Sequence, residues 1–172
     1  MKEDSIGFAV GFMVAIIAVA VIKRIAYGKG RMKTEYDEMQ KLAQGAAYKY
    51  GFLTAVAMTA ICAVLGILRV KIFADEATSM FFILLVSVGV YAGYSIWKEA
   101  YFGLHSNADR YVRFLIVIIA INLFSGISTL RSGTMLTDGR LNYRCVNLGC
   151  AVLLIVILAI MAVKKARTER EE

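Results

Sequence analysis

The 172-residue sequence has no proline, one histidine, one tryptophan and three cysteines. Each scarcity excludes something. Without proline the commonest cause of a kinked helix is missing, and broken helices are the usual device for midplane binding sites in transporters; glycine alone would have to supply the break. A lone histidine among scattered carboxylates has no recognised metal-ligand spacing, so neither a metal nor another cofactor is expected. Cys62, Cys145 and Cys150 form no CxxC and cannot all pair. They read as unpaired thiols in packing positions, with Cys145 close enough to a segment end to be exposed. A nucleophile elbow, a P-loop and a glycine-rich phosphate loop are also absent.

The largest absence is of charge. Ile6–Ile22, Tyr50–Leu68, Ala77–Trp97, Phe114–Leu130 and Cys145–Val163 contain no Asp, Glu, Lys, Arg or His. These are blocks of 17 to 21 residues, which at about 1.5 Å per helical residue match a hydrocarbon core of roughly 30 Å. In lipid each backbone amide must be satisfied within its own segment, so blocks of this length are helices. The expected fold is all-α: a polytopic membrane protein, a single domain over 1–172, with a bundle of five transmembrane helices. No connection is long enough for a separate soluble domain, and the lipid bilayer is the first expected partner.

What charge there is lies between the blocks. The net charge of +7 could suggest nucleic acid, but its distribution follows the positive-inside rule. With the N-terminus outside and the C-terminus in the cytoplasm, 14 of the 20 basic residues face inward and 6 outward. Tyr27, Tyr48, Tyr50, Trp97, Tyr101, Phe102 and Tyr111 then fall near the inner surface as an aromatic belt. The expected location is the cell membrane, with no nucleic-acid partner. Ala18-Val19-Ala20 imitates a signal-peptide cleavage site, but Lys2-Glu3-Asp4 has no positive excess. Cleavage would also leave the basic 21–49 stretch outside, so an uncleaved first span is expected.

Along the chain, Gly7 and Gly11 give the first span a GxxxG motif, and Gly89 and Gly93 repeat it in the third; such pairs let another helix approach closely. Tyr36, Met39, Ala43, Ala46, Tyr50 and Leu53 recur at spacings of three and four, which predicts one helix from about Thr34 to Leu68. Its first half extends into the cytoplasm, where packing against its own bundle is expected. Asp37 and Lys41 are spaced for a helix-supporting ion pair. Ser106 or Asn107 is a candidate N-cap for the fourth span. Ser132-Gly133 and Asp138-Gly139 are turn signals that allow a small hairpin in 131–144.

Chemistry in the membrane would have to use neutral groups. Thr59, Ser87 and Asn122 lie near the centres of their spans. Ser87, Tyr91, Tyr94 and Ser95 share one helix face, and Asn122, Ser125 and Thr129 another. A hydroxyl or amide left unsatisfied in lipid is costly, so these faces are expected to point inward, with Asn122 bonded across the bundle. Read plainly, they join helices; read functionally, Thr59, Ser87, Tyr91, Tyr94, Asn122 and Ser125 are ligand or pore candidates. Proton relays and voltage sensing usually rest on intramembrane charge, and here it is missing. The densest ionisable group is an inner-surface polar cluster: Asp37, Glu38, Lys41, Lys98, Glu99, His105, Asp109 and Arg110. Solvated charges and salt bridges account for it without catalysis.

Tyr36-Asp37-Glu38-Met39-Gln40 followed by Gly45-Ala46-Ala47-Tyr48-Lys49-Tyr50-Gly51-Phe52 resembles the "YDERQ … RGxAYKYGF" stretch of small, uncharacterised five-span membrane proteins of Gram-positive bacteria. Lys98-Glu99-Ala100-Tyr101-Phe102-Gly103-Leu104, Asp109-Arg110-Tyr111 and Ile121-Asn122-Leu123 resemble their second stretch, "KDAYFGLN … RY … INL". The chain departs from the pattern at Met39 and Gln44, where arginine is usual, so no role of those arginines carries over. The resemblance implies a five-span fold and a membrane location, and no activity.

These readings together predict a non-enzymatic membrane protein acting through contacts, as an accessory, sensor or self-associating subunit. It would pair with another copy or with a partner membrane protein. The alternative is a small-solute transporter or oligomeric channel using the neutral faces of spans 2–4; an interfacial enzyme is the remote third.

Overall fold

In the computed structural model the described residues are 36–102 and 108–171, with Val10, Met13, Val14, Ile17, Ala20, Val21 and Arg24 helical in the first segment. Gly7, Gly11 and most of the first predicted span lie outside the described residues, as do Tyr27, His105, the cap candidates Ser106 and Asn107, and the side chains of Asp109 and Arg110. The chain divides into two compact units, Met1–Glu35 and Tyr36–Glu172. The second contains four helices: α1 (Glu38–Ile67), α2 (Glu76–Trp97), α3 (Ala108–Arg131) and α4 (Val146–Glu171). All four are long and apolar enough to cross a membrane.

Helix α1 begins at Glu38, four residues later than the stripe predicts, because Asp37 caps it. Asp37 Oδ1 accepts from the Gln40 N–H at 2.6 Å and Gln40 Oε1 accepts from the Asp37 N–H at 3.3 Å. This reciprocal capping box satisfies two donors that the first turn leaves open. Asp37 therefore serves as a cap and forms no salt bridge with Lys41 among the described residues. Thirty residues make α1 about 45 Å long, well beyond a hydrocarbon core.

The predicted stripe on α1 is not its most buried face. Met39, Tyr50 and Leu53 are exposed, at 74%, 46% and 50%, whereas Ala47 and Gly51 are buried. Half-buried Gln44, Ala55 and Met58 continue the line of Ala47 and Gly51 along the helix. Small residues, not large ones, mark the seam, because close helix approach without water depends on backbone proximity.

Helices α1, α2 and α3 end alike. At α1, Val70 N–H donates to Leu65 O and Arg69 N–H to Gly66 O. At α2, Ala100 N–H donates to Ser95 O; at α3, Thr134 N–H donates to Thr129 O. Each is the double closure of a Schellman motif, which requires a left-handed residue. Gly133 supplies it after α3 (φ +66°), but Arg69 and Glu99 (both φ +57°) do so after α1 and α2.

Packing is sequential: α1 against α2, α2 against α4, and α4 against α3. Ala92 and Ile96 of α2 with Ile157 of α4 form the most buried cluster, flanked by Leu153, Leu154, Ile160 and Met161. Gly89 and Gly93 face α4: a Cβ there would meet Leu153 Cδ1 at 2.6 Å and Ile160 Cδ1 at 3.3 Å. The third-span GxxxG is thus engaged within the chain.

The hairpin in 131–144 forms as the turn signals allow. Leu136–Thr137 (β1) pairs antiparallel with Arg140–Leu141 (β2) around Asp138 (φ +51°) and Gly139 (φ +73°). Two left-handed residues in succession match the twist of a two-residue hairpin. The α1–α2 connection is tied to it by Ala74 N–H donating to Leu141 O at 2.8 Å. Cys145 ends a short 3-10 turn, Tyr143–Cys145, and is buried at 4% exposure beside this hairpin rather than exposed. All three cysteines are free thiols.

Candidate functional site

The predicted intramembrane polar residues do not converge on one site. Thr59 Oγ1 donates to Ala55 O and Ser87 Oγ to Ile83 O, each bond closing within its own helix. Thr59 is exposed, while Ser87 is buried. Asn122, expected to bond across the bundle, instead donates from Nδ2 to Ile118 O at 2.9 Å on its own helix. The carbonyl four residues earlier is always in reach of a short polar side chain and has a spare lone pair. The cross-helix bond falls to Ser125, whose Oγ accepts from Asn147 Nδ2 of α4 at 2.7 Å. Tyr91 and Tyr94 pack their rings on Tyr48 and Tyr50 of α1, at 4.7 and 5.0 Å between centroids. Ser95 is fully buried, and its Oγ makes no hydrogen bond.

The elements do converge at the end where α1 starts, α2 stops and α4 runs out. Gln40 Nε2 donates to Glu99 O at 2.8 Å and to Phe102 O at 3.4 Å. Gln44 Nε2 donates to Ala100 O at 2.9 Å. One helical turn separates the two amides, so both reach the same extended segment. That segment has carbonyls to offer because the left-handed Glu99 turns the chain out of α2. Ala100 lies almost fully buried, at 1% exposure. Glu99 also pairs with Lys164 of α4, Oε1 to Nζ 2.9 Å. With Glu99 66% exposed, the pair contributes at most about 1 kcal/mol.

Aromatic rings continue this junction. Phe102 lies 5.0 Å from Tyr101 and 5.3 Å from Tyr111, and Arg167 stands over Trp97 at 5.9 Å. The Tyr101 hydroxyl titrates above its ordinary range, chiefly because it is buried and secondarily because Tyr111 and Tyr36 lie close. Lys41, next to Gln40, and Lys98, next to Glu99, are exposed, as is Lys49 further along α1. Of the predicted inner-surface cluster, Asp37 is a helix cap, Glu99 a bridge, and Glu38, Lys41 and Lys98 are solvent-facing. The glutamines that hold the junction, Gln40 and Gln44, were not among the expected site residues. The signal available was their spacing of four on the helix.

Among the described residues no three His, Cys, Asp or Glu side chains are grouped to hold a metal ion. Comparisons with protein-family models, curated proteins and solved structures find no match for this chain.

Proposed function

We propose that this is a multi-pass integral membrane protein that acts through contacts made at the α1–α2–α4 junction, without catalysis of its own. The N-terminus lies outside and the C-terminus in the cytoplasm, which places this junction at the inner surface of the cell membrane. The resemblance to the small five-span proteins of Gram-positive bacteria supports the same layout, since Gln40 of its first stretch and Glu99, Ala100 and Phe102 of its second form the junction. The observation that carries the reading is a contrast. Thr59, Ser87 and Asn122 spend their bonds on their own helices, whereas the junction ties three helices together and leaves large apolar side chains exposed beside lysines. Met39 and Leu42 are 74% and 69% exposed there, on a stretch of α1 longer than a bilayer core requires.

The test places a photo-crosslinking residue at Leu42 and, as a lipid-facing control, at Phe124 of α3, which is 80% exposed. A discrete protein adduct at Leu42, a second copy or one partner, with only lipid adducts at Phe124, is the expected result. The transporter reading predicts solute flux in proteoliposomes that Asn122→Leu abolishes; that result, with no protein adduct at Leu42, would overturn the proposal.

A further inference from the structure

At the opposite end, the α1–α2 connection is drawn toward the hairpin by the Ala74–Leu141 bond and by Phe73 packing on Phe82 at 4.9 Å. A cleft of about 360 Å³ remains beside it. Cys62 and Leu65 of α1 with Phe73 make its apolar wall. Gly66 lines it as well, and a Cβ at Gly66 would meet nothing within 4 Å. The space is therefore open to a ligand rather than filled by side chains.

Two charges of opposite sign, Lys71 and Glu76, line the same cleft. Neither takes part in a salt bridge among the described residues. Asp75, between them in the lining, accepts from Thr78 N and shares the single Thr78 Oγ1 proton between its two oxygens, which fixes its carboxylate on the helix cap and leaves its charge in place. Val70 and Ile72 in the lining expose 49% and 52% of their surface, and Ile67 and Leu68, which follow Gly66 in the chain, expose 81% and 65%. Such a rim suits an apolar medium rather than water. A ligand that satisfies the site must carry both signs and an apolar part.

The geometry points to a zwitterionic phospholipid as the occupant, its phosphate facing Lys71, its ammonium facing Glu76 and its upper chain along Cys62 and Leu65. An ammonium donates charge-assisted hydrogen bonds to a carboxylate, and a lysine offers the same to phosphate. Each charge is worth more at a membrane boundary than in bulk water.

Cys62 reports occupancy directly. The full chain in mild detergent is treated with N-ethylmaleimide, and the Cys62 adduct is followed by peptide mapping. Dioctanoylphosphatidylethanolamine at about four times its dissociation constant is expected to slow modification about fivefold, since protection follows one plus the ratio of free ligand to that constant. Dioctanoylphosphatidylglycerol at the same concentration is expected to leave it nearly unchanged. Lys71→Gln and Glu76→Gln should each remove the protection. Gly66→Leu, whose Cβ enters open space, should remove it while the fold is retained. Equal protection by the two lipids, protection by neither, or protection undiminished in the Lys71→Gln/Glu76→Gln double variant would overturn the assignment.

Discussion

Asn142 shows how much a single polar side chain can organise. Its Oδ1 caps the 3-10 turn by accepting from Arg144 N–H at 3.0 Å, and its Nδ2 donates to Thr134 O and Thr137 Oγ1 at 2.9 and 3.0 Å. At 9% exposure it has little water to fall back on. Asn142→Ala leaves those groups unpaired and is expected to cost about 1–3 kcal/mol, read as a lowered thermal midpoint in detergent. Asn142→Asp should recover part of the loss through the cap. If the alanine variant melts with the parent, the network contributes nothing. Nothing in the local sequence singled Asn142 out, since its partners come from the hairpin it closes. Asp37, by contrast, could have been found: an Asp followed three residues later by Gln is a capping box written in order. The ion-pair reading of Asp37 with Lys41 lost to that cap because an N-cap satisfies backbone donors that an exposed ion pair does not.

At the scale of elements, helix seams are set by small residues. A Cβ at Gly51 would lie 3.2 Å from Tyr91 Cβ and 3.3 Å from Ser87 O, between the backbones of α1 and α2. Gly45, six residues earlier on the same helix, has nothing within 4 Å. Gly51→Leu is therefore expected to destabilise by about 1–3 kcal/mol through overpacking. Gly45→Ala should be neutral or stabilising by up to about 1 kcal/mol through helix propensity. Thermal unfolding of both variants in the same detergent checks this, and equal midpoints would remove Gly51 from the seam. The third-span GxxxG was legible as a close-approach motif, but its partner was not. A small-residue pair states that some helix comes near; Leu153 and Ile160 of α4 supply it through tertiary packing. The stripe on α1 gave the helix, Glu38–Ile67, but not its seam, because large apolar residues in a membrane are as content against lipid as against another helix.

For the whole molecule, the two ends differ in kind. One end holds the hairpin, the tied α1–α2 connection and the cleft; the other holds the glutamine clamp, the aromatic rings and the lysines. The proposed orientation makes the second end cytoplasmic. Single cysteines at Arg140 on β2 and at Lys165 on α4, both exposed, are expected to label oppositely with a membrane-impermeant maleimide in intact cells: Arg140→Cys reacts, Lys165→Cys reacts only after permeabilisation. The reverse pattern would place the junction outside and remove the inner-surface reading.

Length and charge pattern alone determined that Tyr50–Leu68, Ala77–Trp97, Phe114–Leu130 and Cys145–Val163 form long apolar helices, while the turn signals Ser132-Gly133 and Asp138-Gly139 allowed a hairpin that the structure closes at the second. Those properties are local: hydrogen bonding within a helix and the left-handed preference of an Asp-Gly turn need no distant partner. Only the tertiary structure decided which faces meet, that Asn122 turns back on its own helix while Ser125 reaches α4, and that Gln40 and Gln44 grip the segment after α2. Each of those depends on which helix stands alongside. In an apolar chain whose outside and inside are equally hydrophobic, periodicity carries little information about that choice.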